Sequence, residues 1–180
     1  PTIPNYIITS AIAGPALLEL GVPLIVSHLF VFYFGIMADL TPPVALAAFA
    51  AAPIAKAQGL SIAFNATRIA LAGYVVPFMA VYAPALMLQP GDPMAEAIGF
   101  WPAVAFVVLK AMVAIILWAA TATGYLFGRL NVIERLVAFA AAATLILAMP
   151  MTDEIGFALA AAFVGWHFWK TRQLKAAAGA

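Results

Sequence analysis

A carboxylate and a hydroxyl flank a pair of prolines deep within apolar sequence. Thr41 directly precedes Pro42 and Pro43, and Asp39 lies two residues before Thr41. Asp39 is the only charged residue in residues 22–55. Proline has no N–H to donate and disfavours the α conformation in the residue before it, so a helix must break here. Carboxylate, hydroxyl and backbone carbonyl oxygens are the ligands that hard cations prefer. The pattern indicates a cation or substrate site at an unwound point in a helix.

The composition places this break in a membrane. Of the 180 residues, 67% are hydrophobic and 8% are charged, and the mean hydropathy is +1.10. Soluble domains have about 25% charged residues, and their cores cannot hide this much apolar surface. The chain contains no cysteine, which excludes disulfides and thiolate metal sites, and its net charge of +1 argues against a nucleic-acid partner. No nucleophile–base pair stands at a suitable spacing, so we predict that the chain is not an enzyme.

Asp39 and Thr41 also have a purely structural interpretation. Asp and Thr are good N-cap residues and Pro suits the first helical turn, so these residues could simply start a second helix. A charge near the bilayer centre costs roughly 2.5–3.5 kcal/mol on insertion scales, which favours a functional role. Both roles can hold together. The sequence leaves open whether the Asp39 side chain binds an ion or the backbone carbonyls do so alone.

A second polar group opens the chain. The first five residues form a proline-bounded entry that contains Thr2 and Asn5. These two side chains can face a ligand at membrane depth. Alternatively, Asn5 is only the N-cap of the helix that follows. Both interpretations stay open at this point.

The first two hydrophobic elements are predicted to be incomplete crossings. In residues 1–18, Pro4, Gly14 and Pro15 leave about ten uninterrupted residues, whereas a crossing needs roughly 20. We therefore predict one arm of a re-entrant hairpin for residues 1–18. Residues 22–57 are predicted to be one discontinuous transmembrane helix, because broken backbone survives in a membrane only where protein or water satisfies it.

The later elements are predicted to be about four further transmembrane helices. The first covers residues 61–88, and its two prolines, Pro77 and Pro84, should kink it. A linker rich in proline and glycine occupies residues 91–99. Extra C-terminal helices fill residues 100–172, and residues 173–180 form a tail that we expect to be frayed. The predicted fold class is thus an all-α integral membrane protein.

Loop charge predicts the orientation of these helices. The predicted loops alternate between basic and acidic along the chain, and cytoplasmic loops carry the excess of Lys and Arg. The basic loops, including the C-terminal tail, are therefore predicted to lie in the cytoplasm.

Three further features favour packing roles. His28 is expected to be packed or interfacial rather than part of a proton relay, since it has no partner at helical spacing for a zinc site. Lys110 is expected to extend to the outer interface from an apolar stretch. An aromatic cluster is expected to pack against lipid or other helices, and its members are Phe30, Phe32, Tyr33 and Phe34.

These residues resemble the large membrane subunit of tripartite ATP-independent periplasmic (TRAP) transporters, in particular its C-terminal part in the fused permeases. The resemblance is carried by Phe-Tyr-Phe-Gly-Ile-Met-Ala-Asp-Leu-Thr-Pro-Pro-Val-Ala-Leu-Ala-Ala at residues 32–48. Shorter runs at residues 1–7, 15–23 and 77–86 support it. The likeness covers about residues 1–90, and no motif extends it into the second half.

The resemblance implies a secondary transporter driven by a sodium gradient, with Na⁺ as coupling ion and no other cofactor. It implies a periplasmic solute-binding protein as partner, a small organic, carboxylate-bearing anion as substrate, and a bacterial-type cytoplasmic (inner) membrane. The family's large subunit has two inverted repeats, each with a re-entrant hairpin and a broken helix, and it moves as an elevator. On that pattern, residues 1–18 are the second arm of the second hairpin, and residues 22–57 are that repeat's broken helix.

The resemblance also assigns site residues. Asp39, Thr41, Pro42 and Pro43 would flank a sodium site, with Asp39 and Thr41 as its side-chain ligands. The first repeat, the first hairpin arm and the small-subunit region of the family pattern are missing from the sequence. We therefore expect the chain to be the C-terminal part of a longer permease that does not transport alone. The alternative is a non-transporting structural subunit that scaffolds a partner, which leaves the carboxylate beside the break unexplained.

Overall fold

The computed structural model describes residues 2–147 and 151–178, which are almost entirely helical. The helices are α1 (Thr2–Glu19), α2 (Leu24–Met37), α3 (Leu46–Ala55), α4 (Gly59–Ala70), α5 (Val76–Tyr82), α6 (Pro93–Ile98), α7 (Phe100–Thr123), α8 (Val132–Ile146) and α9 (Thr152–Ala178). Short 3₁₀ segments at Leu71–Val75 and Pro84–Met87 flank α5. The predicted all-α class is confirmed. The chain divides into two compact units, residues 1–108 and 109–180, and the division falls within α7.

Two stretches in the described residues are long and apolar enough to cross a membrane. They are Gly59–Tyr82 and Phe100–Thr123, each of 24 residues. At 1.5 Å per residue, such a stretch is about 36 Å long and exceeds the roughly 30 Å hydrocarbon core. Helices α2 and α3 are apolar but shorter. The predicted total number of crossings stays a prediction.

Helix α1 is longer than the sequence predicts. It runs without interruption for 18 residues, so the expected segment of about ten residues is wrong. Pro4 lies in the first turn, where the missing N–H has no intrahelical partner to lose. Pro15 lies inside the helix. The helix is about 27 Å long, and its length therefore does not by itself indicate a re-entrant arm.

Helices α1 and α2 form an antiparallel hairpin. The turn between them uses Gly21, whose φ of 81° favours glycine. Near the beginning of α1, Tyr6 packs edge-on against Phe32 of α2. The helices also meet at Gly35, where a Cβ would lie at an ordinary contact distance of 3.9 Å from the Thr2 carbonyl oxygen. The hairpin consequently places the beginning of α1 beside the end of α2.

The aromatic cluster of α2 packs against the segment around Pro77. The ring centroids of Phe30 and Phe78 are 5.3 Å apart, and those of Phe34 and Tyr74 are 6.2 Å apart. The packing interpretation of the cluster is confirmed for these residues. The cluster fixes α2 against the 3₁₀ segment and α5.

The prolines of the predicted 61–88 helix divide it into pieces. The α-helix gives way to the 3₁₀ segment before Pro77, and α5 ends at Tyr82, two residues before Pro84. The intervening Ala83 is not helical, as expected for a residue that precedes proline. The predicted linker contains the short helix α6, whose N-cap Asp92 accepts a hydrogen bond from the Met94 N–H at 2.9 Å.

The second unit packs α8 and α9 against residues 109–123 of α7. Small residues allow these helices to approach closely. The buried core includes Ala114, Leu117, Ala120, Ala138, Ala141, Ala142, Leu145, Ala160 and Phe163. Helix α9 continues to Ala178, so the expectation of a frayed tail is wrong for the described residues. The sequence also predicts that the helix beginning at residue 132 ends at residue 149, and that end lies outside the described residues.

Lys110 does not extend to water, and that expectation is wrong. Its side chain is 7% exposed, and Nζ lies 2.5 Å from Oδ1 of Asp153 at the start of α9. The sequence predicts a separate interfacial segment over residues 100–109, but these residues are continuous with the rest of α7. The ion pair ties the middle of α7 to the first turn of α9.

Candidate functional site

The helix break lies where the prolines predict it. Helix α2 ends at Met37 and α3 begins at Leu46, which leaves residues 38–45 outside both helices. We call this segment the elbow. It contains Asp39 and Thr41 together with Pro42 and Pro43, whose shared peptide bond is cis. The predicted interruption of the helix is confirmed.

The beginning of α3 does not coincide with the prolines. Its N-cap is Ala45, in the left-handed conformation with φ 42° and ψ 39°, and no side chain caps it. The interpretation of Asp39 and Thr41 as N-cap residues is therefore wrong. The positive end of the α3 dipole therefore lies at Leu46 and not beside Asp39 and Thr41.

Backbone hydrogen bonds close the elbow on itself. The Ala45 N–H donates to the carbonyl oxygens of Thr41, at 2.9 Å, and Ala38, at 3.3 Å. The Ala47 N–H donates to the Asp39 carbonyl at 3.0 Å. Ala45 is fully buried, and these bonds fix its strained conformation. A carbonyl oxygen has two lone pairs, so each of these acceptors keeps capacity for a second donor or a cation.

Thr2 and Asp39, both predicted site residues, meet at the elbow. Thr2 Oγ1 donates to Asp39 Oδ2 at 3.0 Å, across 37 positions of sequence. The contact exists because the hairpin of α1 and α2 returns the chain start to the end of α2. Both residues are partly buried. The bond orients the carboxylate within the elbow.

Thr41 and Asn5 are placed differently. Thr41 Oγ1 donates to the Met37 carbonyl at 2.9 Å, which leaves the lone pairs of its hydroxyl for a ligand. Asn5 lies inside α1, so its interpretation as an N-cap is wrong. Its carbonyl and side-chain oxygens both lie within reach of the Thr9 hydroxyl, at 2.7 and 3.5 Å. The described contacts of Asn5 therefore lie within α1 rather than at the elbow.

Thr67 is an elbow contact that sequence reasoning missed. Its Oγ1 lies 3.2 Å from the Leu40 carbonyl oxygen and 2.8 Å from that of Ala63, one turn earlier in α4. A threonine bonded to its own helix carries no sequence signal for a second acceptor. The contact arises because α3 and α4 pack closely through the buried small residues Ala48 and Ala63.

His28 of α2 contacts Tyr6 of α1 within the hairpin. Its Nδ1 lies 2.8 Å from the Tyr6 hydroxyl, and the two rings are tilted against each other. The interpretation of His28 as a packed residue is confirmed.

The chemistry of the elbow suits a small hard cation. The groups assembled there are oxygens: the Asp39 carboxylate, the hydroxyls of Thr2 and Thr41, and backbone carbonyls. Unwound carbonyls and carboxylates of this kind coordinate Na⁺ or H⁺ in transporters with broken helices. In residues 2–147 and 151–178, no group of three His, Cys, Asp or Glu side chains could hold a metal ion.

The fold and the site together define a helical membrane protein with a discontinuous helix. The family model of the DctM component of tripartite ATP-independent periplasmic transporters matches residues 1–94, which is 94 of the 180 residues. The chain therefore belongs to this family, and the resemblance found in the sequence is confirmed. The family is one of membrane transporter components and not of enzymes. No curated protein and no solved structure matches the chain.

Proposed function

We propose that the elbow is part of a sodium site in a sodium-coupled secondary transporter. The observation that carries the proposal is the Thr2–Asp39 hydrogen bond of 3.0 Å at a confirmed break between α2 and α3. It places a carboxylate, hydroxyls and unwound carbonyls at one point of an apolar chain. Thr2, Asp39 and Thr41 supply the side-chain oxygens, and Pro42 and Pro43 keep the backbone unwound. The described contacts of Asn5 are with Thr9 within α1, so in this proposal Asn5 supports the site only through that helix.

The substrate in this proposal is a small organic anion that bears a carboxylate. Membership of the family implies that the chain functions together with a periplasmic binding protein and with the other parts of the permease. That binding protein delivers the solute to the transporter. The positive end of α3, at Leu46, attracts a carboxylate, as half-helix ends do in other transporters. Movement of the elbow region as an elevator would carry ion and solute across together.

The proposed setting is a bacterial cytoplasmic membrane with the C-terminus in the cytoplasm. The alternation of loop charge supports this orientation, and two 24-residue apolar stretches support the membrane location. In this topology residues 1–18 form a re-entrant hairpin arm, and the helices of residues 100–172 cross the membrane.

A second role applies to the C-terminal part alone. Residues 109–180 form their own compact unit and lie beyond the family match. We propose that this unit scaffolds the membrane assembly rather than binding solute.

Sodium-dependent uptake by the full permease tests the site. At an effective dielectric of 20, a unit charge 4 Å from a cation contributes about 4 kcal/mol. Asp39→Asn should therefore raise the sodium concentration for half-maximal uptake by at least tenfold, and Thr41→Ala should raise it less. Glu19→Gln is the matched control, because it removes an exposed carboxylate at the far end of α1. An unchanged sodium requirement in Asp39→Asn and Thr41→Ala would exclude the side-chain site.

A further inference from the structure

A groove lies between α8 and α9 in the second unit. Its volume is about 400 Å³, within the roughly 300–1,000 Å³ of ligand pockets. Apolar side chains form most of its wall: Ile133 and Val137 from α8, and Leu159, Ala162 and Trp166 from α9. In a bilayer, an open groove of this kind faces lipid rather than water.

One end of the groove is polar. The Glu134 carboxylate lines it and is 2% exposed. Glu134 Oε1 lies 2.5 Å from Lys170 Nζ, and Oε2 accepts a hydrogen bond from the Asn131 N–H at 2.7 Å. Lys170 Nζ also lies 5.2 Å from the centre of a Trp166 ring. The lysine side chain is 36% exposed, so a cation in contact with the groove-lining Glu134 reaches the surface.

This end of the unit has a surplus of positive charge. The loop before α8 approaches α9 closely, since a Cβ added at Gly128 would lie 3.2 Å from Thr171 Cγ2. That loop and the neighbouring turns of α8 and α9 hold one carboxylate, that of Glu134. They also hold four basic residues: Arg129, Arg135, Lys170 and Arg172. The surplus of three favours an anionic ligand.

We propose that the groove holds one acyl chain of an anionic phospholipid, with the lipid phosphate at Lys170. An acyl chain matches the apolar wall, and tryptophan and lysine at its polar end match the headgroup level of a membrane. Basic residues near a membrane surface attract anionic lipids by about 1 kcal/mol each, which is about fivefold in affinity. The proposal depends on the membrane location of the chain and not on sodium-coupled transport.

Lipid retention by the full chain, purified in detergent, tests the groove. Phosphatidylglycerol or phosphatidylcholine is added, and bound lipid is counted by native mass spectrometry. We expect about fivefold more phosphatidylglycerol than phosphatidylcholine to remain bound. Ala162→Trp should fill the groove and abolish the bound phosphatidylglycerol. Ala161→Trp is the matched control, since Ala161 is exposed on the same helix and does not line the groove.

Paired neutralisation tests the headgroup contact. Glu134→Gln with Lys170→Gln removes the phosphate contact without leaving a buried charge unpaired. The surplus of three positive charges from the neighbouring arginines stays, so the preference for phosphatidylglycerol should fall but not vanish. Lys110→Gln with Asp153→Asn removes the ion pair at the other end of α9 and should keep the preference. Equal retention of both lipids by the wild type would overturn the proposal, as would retention of detergent alone. Undiminished phosphatidylglycerol in Ala162→Trp, or an undiminished preference in the Glu134–Lys170 pair variant, would also overturn it.

Discussion

Thr2→Val removes the hydroxyl that joins α1 to the elbow and keeps the branched shape of the side chain. The lost bond is 3.0 Å long and ends on a carboxylate. Hydrogen bonds to charged groups contribute about 1.5–3 kcal/mol. Both partners are only partly buried, so the lower end of that range applies. A loss of about 1.4 kcal/mol in positioning the carboxylate corresponds to tenfold in an equilibrium constant.

The assay is the sodium dependence of solute uptake by the full permease in proteoliposomes. Thr2→Val should raise the sodium concentration for half-maximal uptake about tenfold, whereas Thr2→Ser keeps the hydroxyl and should stay close to wild type. Thr9→Val is the matched control, because the Thr9 hydroxyl bonds within α1. In the Asp39→Asn background, Thr2→Val should have a much smaller effect. If Thr2→Val behaves like Thr9→Val, the Thr2–Asp39 bond does not position the site.

Two further predictions concern the second unit, and thermal unfolding of the purified chain measures both. A Cβ at Gly156 would lie 2.8 Å from the buried Leu145 side chain and 3.1 Å from its backbone nitrogen, so Gly156→Ala should destabilise by about 1–3 kcal/mol. A Cβ at Gly165, on the same helix, meets nothing within 4 Å, so Gly165→Ala should be neutral or stabilising. Equal losses of stability in the two variants would contradict this reasoning. Lys110→Gln leaves the Asp153 carboxylate without its cation and should cost about 3–5 kcal/mol, whereas adding Asp153→Asn should restore much of the loss. A double variant no more stable than Lys110→Gln would refute a paired role for Lys110.

The break between α2 and α3 was predictable because its cause is local. Pro42 and Pro43 together remove two N–H donors and disfavour the α conformation in Thr41 and Pro42, and the surrounding apolar run indicates that the break is not a surface loop. The pairing of Thr2 with Asp39 was predictable in part. Their residue types marked both as candidates, but the hairpin that joins them depends on the Gly21 turn and on packing of α1 against α2, as between Tyr6 and Phe32.

Other features depend on context that the sequence does not show. Pro15 was expected to interrupt α1, yet the helix runs through it from Thr2 to Glu19. The beginning of α3 is delayed to Leu46 because the elbow bonds to itself before helical bonding resumes. The partner of Lys110 is 43 positions away, and such a pairing leaves no local signal.

The self-bonded elbow has a consequence for the thermodynamics of any ligand it binds. Its carbonyls are already directed by internal hydrogen bonds, so the conformational entropy of ordering them is lost when the chain folds and not when a ligand arrives. Association with a preordered site avoids that penalty and requires no local unfolding for release. Binding at the elbow should therefore be fast and reversible, with a small entropic cost from the backbone.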